Sequence, residues 1–308
     1  MRRLTLNAAI LAAAIVGPQA ASAEPKTVGL AVATLQQNFF NQIKQAVEEQ
    51  GASKDVTVIA VDAGGDPARQ VSQVQDLLTQ KIDALIYIPA GTAAAAVPVK
   101  AARAAGVPVV NVDRNAFAGE GTTFIATDSV ASAKGVGMWL CEHVDGEGKL
   151  AIIHGEKGSS PEIDRTQGIM DAVADCPKLE IHAEQWSQKW SQDEGFAIVQ
   201  DMLQANPEIN VIFAQSDSMA LGAAQAVKIA NLDHKVLIGG FDGDTAALEA
   251  IRDGVFDVTA TQKTLEMGRM ALDAALALAA GEDVPETQLL EAAITDAGNV
   301  AQFIEQHP

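Results

Sequence analysis

Short runs of consecutive apolar, largely β-branched residues alternate along the chain with longer amphipathic segments. The runs are VGLAVAT from Val28, VTVIAVDA from Val56, ALIYIPA from Ala84, VPVVNVD from Val107, KLAIIHGE from Lys149, VIFAQSD from Val211 and VLIGGFDG from Val236. Their apolar positions are successive instead of alternating, the pattern of parallel strands covered on both faces. In the connecting segments Phe40, Ile43 and Val47 share one helical face, as do Val71, Val74, Leu77 and Leu78. This alternation predicts βαβ units and an α/β fold of doubly wound parallel sheets. The rhythm breaks once, at RNAFAGEGTTFIATDS from Arg114, where a loop leads into a short extended piece ending at Thr127-Asp128. A fresh series of units then begins, so two lobes of similar size are expected, the second starting near Asp128. No low-complexity linker separates them, and crossing strands are expected to hold them together. The alanine-rich GTAAAAVPVKAARAAG and MALDAALALAAG read as compact helices, because Val, Leu and Met recur in them at core spacing.

The first 23 residues differ in kind. Arg2 and Arg3 precede an apolar stretch from Leu4 to Val16, a Gly17-Pro18 break and Ala21-Ser22-Ala23. This is the layout of a secretory signal peptide, 1–23, cleaved after Ala23, with an apolar part too short to cross a bilayer. No Cys stands at the cleavage point for lipid attachment, so a soluble, exported protein is expected. The remainder is long enough for two domains with their own cores. The formal net charge of -19 becomes more negative by two when Arg2 and Arg3 are removed. Such a charge disfavours nucleic acid and anionic membranes as partners and favours solubility. Cys141 and Cys176 either bridge or pack as small hydrophobes. The helices that end in them flank the first strand of the second lobe, and a disulfide is the expectation. Neither has the further Cys or His partners of a metal site.

In open parallel sheets ligands bind beyond the carboxyl ends of the strands, so the residues ending each run carry the functional information. They are Gln36, Gln37, Phe39 and Phe40 after the first; Asp113, Arg114 and Asn115 after the fourth; Ser216 and Asp217 in FAQSD; and Phe241 and Asp242 in GGFDG. The adjacent Phe39 and Phe40 stand out in a chain with only 4% aromatic residues. Planar Asp, Arg, Asn and Gln groups suit paired hydrogen bonds to vicinal hydroxyls, and aromatic faces pack on the C–H faces of a sugar ring. Asp217 can equally be a helix cap. Enzyme readings do badly: there is no G-x-S-x-G elbow, and His143, His154, His182, His234 and His307 lack a nucleophile partner. His154 reads as a rim or core residue. GEKGSS lacks the phosphate-cradling pattern, GVGMW is too weak for a dinucleotide, and the DGD of Asp242 to Asp244 is no EF-hand. No cofactor and no metal are expected.

The segments ATLQQNFF, NVDRN, IATDS, SSPEIDRTQGI, FAQSDSMALGA, GGFDG and TATQ, in that order, resemble the periplasmic monosaccharide-binding proteins of bacterial ABC importers, specifically the ribose-binding protein group. The resemblance runs over essentially the whole mature chain. It implies two Rossmann-like lobes of the type I periplasmic binding protein kind, joined by a three-strand hinge and closing on the ligand. The implied crossovers fall near Thr127-Asp128, Gln262-Lys263 and Leu290-Glu291. The first lobe would then comprise 24–127 plus 263–290, and the second 128–262 plus 291–308.

The resemblance also implies roles for individual residues. Phe39 and Phe40 would line the cleft, one ring on the sugar, with Trp190 on the other face; Asp113 and Arg114 would grip adjacent hydroxyls. Arg165, Trp190, Ser216, Phe241 and Asp242 would reach in from the second lobe, with Gln262 at the hinge. Trp139 and Trp186 have no such match and are read as packing residues. Gln37 and Ser216 stand where ribose binders carry Asn, and Asn38 stands where Pro precedes the paired Phe, which puts ribose itself in doubt. VDRN and GSSPEIDR look closer to binders of inositol or sugar alcohols. The expected ligand is a monosaccharide or polyol, and the expected partner is an importer's membrane permease, served by a monomer. A chemoreceptor is an alternative partner, and a secreted carbohydrate-modifying enzyme stands behind both. Sugar-responsive repressors share the core but place a helix-turn-helix where this chain has a signal peptide.

Overall fold

The computed structural model describes residues 26–117 and 121–306; the signal peptide and its cleavage site lie outside them. Two six-stranded sheets form the centres of two α/β lobes. The first sheet has the order β11-β5-β4-β3-β1-β2. Its strands are β1 (Thr27–Val32), β2 (Thr57–Asp62), β3 (Ala84–Tyr87), β4 (Val109–Val112), β5 (Thr123–Thr127) and β11 (Thr287–Leu290), all parallel. The second has the order β12-β10-β9-β8-β6-β7. It contains β6 (Gly148–His154), β7 (Leu179–Trp186), β8 (Val211–Ala214), β9 (Leu237–Asp242), β10 (Val258–Thr261) and β12 (Ala293–Asp296), with β12 alone antiparallel, along β10.

Central strands β3, β4 and β8 are buried at every position, as strands sandwiched between helix layers must be. In the first lobe, helices α1 (Asn38–Ser53) and α9 (Thr264–Ala279) cover one face, packing Phe40, Ile43, Val47, Met267, Ala271 and Leu272 against β1, β3 and β4. Helices α2 (Pro67–Thr79) and α3 (Ala96–Ala104) cover the other with Val74, Leu77, Val99 and Ala102. Asp66 caps α2, accepting from the amides of Ala68 and Arg69, with Pro67 at its first position, a pairing that satisfies otherwise orphaned N–H groups. In the second lobe, α4 (Ser129–His143) and α5 (Ser160–Asp175) lie on one face; α6 (Gln192–Ala205), α7 (Asp217–Ala230), α8 (Thr245–Arg252) and α10 (Val300–Gln306) lie on the other.

The chain passes between the sheets after β5, after β10 and after β11. Strands β7, β11 and β12, each partly buried at a sheet edge, are not among the apolar runs; β2, also a partly buried edge strand, is among them, and β10, buried throughout as VTAT, is not. Edge strands keep polar side chains on their open face, so LEIHAEQW and TQLL lack the continuous apolar signature. Among the described residues no helix is long and apolar enough to cross a membrane.

Cys141, in the last turn of α4, is bonded to Cys176 at the C-cap of α5, with Cα atoms 6.3 Å apart. The bridge pins the two helices at one end, across a sequence separation of 35 residues. Closing a loop of that length in the unfolded chain corresponds to roughly 4 kcal/mol. Replacing both cysteines by Ala should lower the unfolding free energy of the oxidised protein by about 2–4 kcal/mol in denaturant titrations. Two titratable thiols in denatured, periplasm-purified protein would contradict the bridge.

Candidate functional site

The carboxyl ends of both sheets face one another across a cleft between the lobes. It is lined by Gln37, Phe39, Phe40, Asp113, Arg114, Pro161, Arg165, Trp190, Ser216, Ser218, Asp242 and Asp244. The structure therefore brings together nine of the residues singled out from the sequence.

The first lobe contributes an aromatic wall and a guanidinium. Phe39 and Phe40 open α1 and meet edge to face, with ring centroids 5.2 Å apart. Both are buried. Gln37 precedes them at the N-cap of α1 and makes no side-chain cap hydrogen bond, which leaves its amide free for the cavity. Arg114 follows β4, donates from Nη1 to the Pro89 carbonyl at 3.3 Å, and lies 3.6 Å from the Asp113 carboxylate. Its guanidinium is 5.4 Å from the Phe40 ring centroid and 5.8 Å from that of Trp190, within cation–π range of both.

Arg165 comes from α5 in the second lobe. Its Nη1 donates to the Gln215 carbonyl at 2.5 Å and to Asp242 at 3.3 Å. The group lies 3.8 Å from the Phe241 centroid and 5.6 Å from that of Trp190. Phe241 itself does not reach the cavity. It is fully buried in the core against α4 and β10, and its place is behind Arg165, where it supplies a π face. Gln262 also stands behind the lining: its Nε2 donates to Asp242 at 2.9 Å and its Oε1 accepts from the Thr127 hydroxyl at 2.5 Å. Thr127 and Gln262 sit at two of the chain's passages between sheets, so one hydrogen-bonded chain runs from those passages through Asp242 to Arg165.

Trp190 is held by its own loop. Glu194, in the first turn of α6, accepts from the Ser187 hydroxyl and from the amides of Gln188 and Lys189, and Ser187 Oγ in turn accepts from the Trp190 amide at 2.8 Å. The indole passes so close to Gly155 that a Cβ there would fall 1.9 Å from the ring. Trp190, Asp113 and Asp242 all have positive φ, of 56°, 61° and 130°. Left-handed backbone at non-glycine residues costs on the order of 1–3 kcal/mol each and persists where surrounding contacts over-determine it; here all three instances face one cavity.

Asp217, which sequence alone left between cap and ligand, is neither. Ser216 is the cap of α7, accepting from the Met219 amide. Asp217 is fully buried and accepts from the amides of Gly243 and Asp244 at 2.7 and 2.9 Å and from the Thr259 hydroxyl at 2.6 Å. It fixes the loop after β9, in which Gly243 adopts φ 78° against Thr261. His154 is a core residue, hydrogen-bonded to Thr166 and Glu184 and stacked on Trp186. Trp139 stacks on His143 and donates to Asp296. Pro161, Ser218 and Asp244 join the lining without having been anticipated. Asp244 was legible only as part of a DGD triplet following a strand.

The lobes also touch at the rim of the cavity. Glu156 accepts from the amide and hydroxyl of Thr92 at 2.9 and 3.1 Å, and the Asn115 amide donates to Ser160 Oγ at 2.8 Å. Some buried polar atoms at the cavity, Arg114 Nε, Arg165 Nε and Trp190 Nε1, have no hydrogen-bond partner among the described residues. Buried donors in folded proteins are almost always satisfied, so this wall is suited to an oxygen-rich ligand. Among the described residues no group of three or more His, Cys, Asp or Glu is arranged to hold a metal ion.

Residues 28–283 match the periplasmic binding protein domain family. The chain belongs to that family. A ribose import binding protein of Bacillus subtilis is 34% identical over 261 residues, covering 85% of this chain and 84% of the relative. A putative rhizopine-binding protein of Rhizobium meliloti is 33% identical, covering 95% and 96%. An ABC transporter solute binding protein from Bacillus halodurans, solved with bound myo-inositol, superposes with a TM-score of 0.84 at 28% identity, covering 91% of this chain and 98% of that one. These relatives are binding proteins. The matched region includes residues of both lobes and every residue that lines the cavity.

The carboxylates in and behind the cavity wall are displaced upward in pKa, with burial the largest cause throughout. Asp217 is pushed up to about 6 and Asp244 to about 7. Asp242 lies well above the ordinary carboxylate value, burial outweighing the Arg165 charge. Asp113 is raised by burial against the opposing pull of Arg114 and Arg165. A carboxylate whose folded pKa exceeds its unfolded value of about 3.9 keeps its proton in the folded state after the unfolded chain has lost it, so stability declines as pH rises through that interval. The ligand-free protein should therefore melt at a higher temperature at pH 5 than at pH 8. A melting temperature that is constant or rises between those values would contradict the buried placement of these groups.

Proposed function

We propose that this chain is the substrate-binding component of an ABC importer, capturing a monosaccharide or polyol between its lobes and presenting it, as a monomer, to the membrane permease. The observation that carries the reading is the pair of guanidiniums, Arg114 and Arg165, one from each lobe, which approach the same Trp190 ring above an enclosed cavity. Each has its own carboxylate, Asp113 or Asp242, so each lobe presents donors and acceptors side by side, as vicinal hydroxyls require. Phe39, Phe40 and Trp190 supply apolar faces for the C–H surfaces of a ring. The lobes, 24–127 plus 263–290 and 128–262 plus 291–308, would move as two bodies about the passages at Thr127, Gln262 and Leu290. The signal peptide supports export to the periplasm.

A thermal-shift panel of pentoses, hexoses, inositols and sugar alcohols tests the reading: at least one should raise the melting temperature at sub-millimolar concentration, with a size set by ligand concentration over Kd. A flat panel would overturn it.

Arg114 is wedged between Phe40 and Trp190, donates from Nη1 to the Pro89 carbonyl and turns Nε toward Asp113, leaving the outer nitrogen of its planar fork for ligand. Lys cannot reproduce that fork. Arg114→Lys should weaken binding of the best panel ligand by at least tenfold in calorimetry, corresponding to a loss of about 1.4 kcal/mol or more. Native affinity in that variant would remove Arg114 from the site.

Ligand choice should follow Gln37 and Ser216. Gln37 is a methylene longer than Asn, and Ser216 spends its hydroxyl acceptor on the α7 cap, a duty Asn also performs. Ribose should not be the tightest ligand, and Gln37→Asn with Ser216→Asn should shift preference toward ribose. Two mispaired groups at about 1–3 kcal/mol each set the scale at roughly a hundredfold. Calorimetric titration of both proteins with ribose and myo-inositol decides this; sub-micromolar ribose binding by the unmodified protein, with no better polyol or hexose, would contradict it.

A further inference from the structure

Away from the chain's passages between the sheets, the hydrogen bonds that join the two lobes among the described residues all end on one segment, 155–160, which follows β6 and opens α5. Glu156 Oε1 accepts from the Thr92 amide at 2.9 Å and from the Thr92 hydroxyl at 3.1 Å. Ser160 Oγ accepts from the Asn115 amide at 2.8 Å. Thr92 lies in the loop after β3 and Asn115 in the loop after β4, so one piece of the second lobe holds two neighbouring loops of the first.

The segment is braced from behind. Gly155 donates its amide to Gln215 Oε1 at 2.9 Å, and the Trp190 ring packs where its side chain would be. The Glu156 carbonyl accepts from the amide and the hydroxyl of Ser159 at 3.1 and 2.8 Å, closing a tight turn in which Gly158 has φ 85°. Glu162 fixes the far side: one carboxylate oxygen accepts from the Gly158 amide at 2.9 Å and the other from the Trp186 indole at 3.0 Å. An acceptor already held in place loses little freedom when its donors arrive. The turn uses only the main chain of Glu156. Among the described residues its carboxylate bonds only across the cleft, and it stands at the outer rim with Gln188 and Lys189, apart from the residues that line the cavity.

We propose that residues 155–160 are a latch for the closed protein, with Glu156 as the positioning residue that sets how long a captured molecule is kept. This rests on the carbohydrate-binding reading above and adds the control of release. When the lobes part, the Thr92 amide and hydroxyl return to water. When they meet, one carboxylate takes both, and hydrogen bonds to an ionised acceptor are stronger than neutral ones. That gain exists only in the closed arrangement, so it shifts the population toward closure and adds to the affinity of whatever is enclosed, without regard to its identity. Dissociation requires the latch to break, whereas a molecule entering the open cleft meets it only afterwards.

The test uses the full mature protein and the tightest binder of the thermal-shift panel, D-ribose, D-allose, xylitol and myo-inositol included, with calorimetry for Kd and stopped-flow tryptophan fluorescence for the rates. Glu156→Ala should raise Kd about tenfold, the scale of a hydrogen bond to a charged group, through a faster koff with kon nearly unchanged. Glu156→Gln keeps an acceptor and should recover part of the loss. Thr92→Val, which removes the hydroxyl and keeps the amide, should weaken binding in the otherwise unmodified protein and have no further effect in Glu156→Ala. The order of preference among the four named compounds and the melting temperature of the ligand-free protein should not change. Native koff in Glu156→Ala overturns the proposal, as does an equal effect of Thr92→Val in both backgrounds. It is also overturned by an altered order of preference, which would make Glu156 a ligand contact, or by a lowered ligand-free melting temperature, which would make it a brace of the second lobe; in each of these cases carbohydrate binding itself stands. If no pentose, hexose, inositol or sugar alcohol binds, the carbohydrate reading fails and the latch fails with it.

Discussion

Arg165 is the constraint on which the site depends. Its side chain is 4% exposed, and a buried guanidinium is tolerated only where carboxylates, carbonyls and π faces replace its water. Its surroundings meet that demand from several elements at once: the carbonyl of Gln215 after β8, Asp242 at the end of β9, and the rings of Phe241 and Trp190. Asp242 is in turn tied through Gln262 to Thr127. The carboxyl ends of β5, β8, β9 and β10 are thereby fixed relative to one charge.

The acidic groups follow from the same logic and raise its cost. Asp113, Asp217, Asp242 and Asp244 are all shifted upward by burial, which favours their protonated forms. Backbone strain at Asp113, Trp190 and Asp242 accompanies that shift. A wall that is preorganised in this way loses little entropy on binding, because Asp217 and Glu194 have already fixed the two loops that carry Asp242, Asp244 and Trp190.

The α/β class was legible because strands buried on both faces leave uninterrupted apolar runs, as in ALIY and VIFA. Most of the cavity lining was legible because, in parallel sheets, polar residues at strand ends have few other places to go. The edge strands β7, β11 and β12 were not, and neither was β10, whose VTAT is buried but alternates Thr with apolar positions; exposure alone does not decide it, since the part-exposed edge strand β2 carries an apolar run. Phe241 could not be separated from its neighbour Asp242, because alternation along β9 sends one side chain to the core and the next toward the cavity, and only coordinates say which. The distinction between Asp217, a bracket for a loop, and Asp244, a free carboxylate in the wall, depends on which backbone amides approach each of them; both follow a strand and begin a helix.

The central claim is that ligand is held by groups divided between two lobes, with the rim contacts Thr92–Glu156 and Asn115–Ser160 made when the lobes come together. Small-angle X-ray scattering of the mature protein, with and without a saturating ligand found by titration, tests it most directly. The account predicts a smaller radius of gyration with ligand than without. An identical radius in both states would show that the lobes do not move on binding and would contradict it.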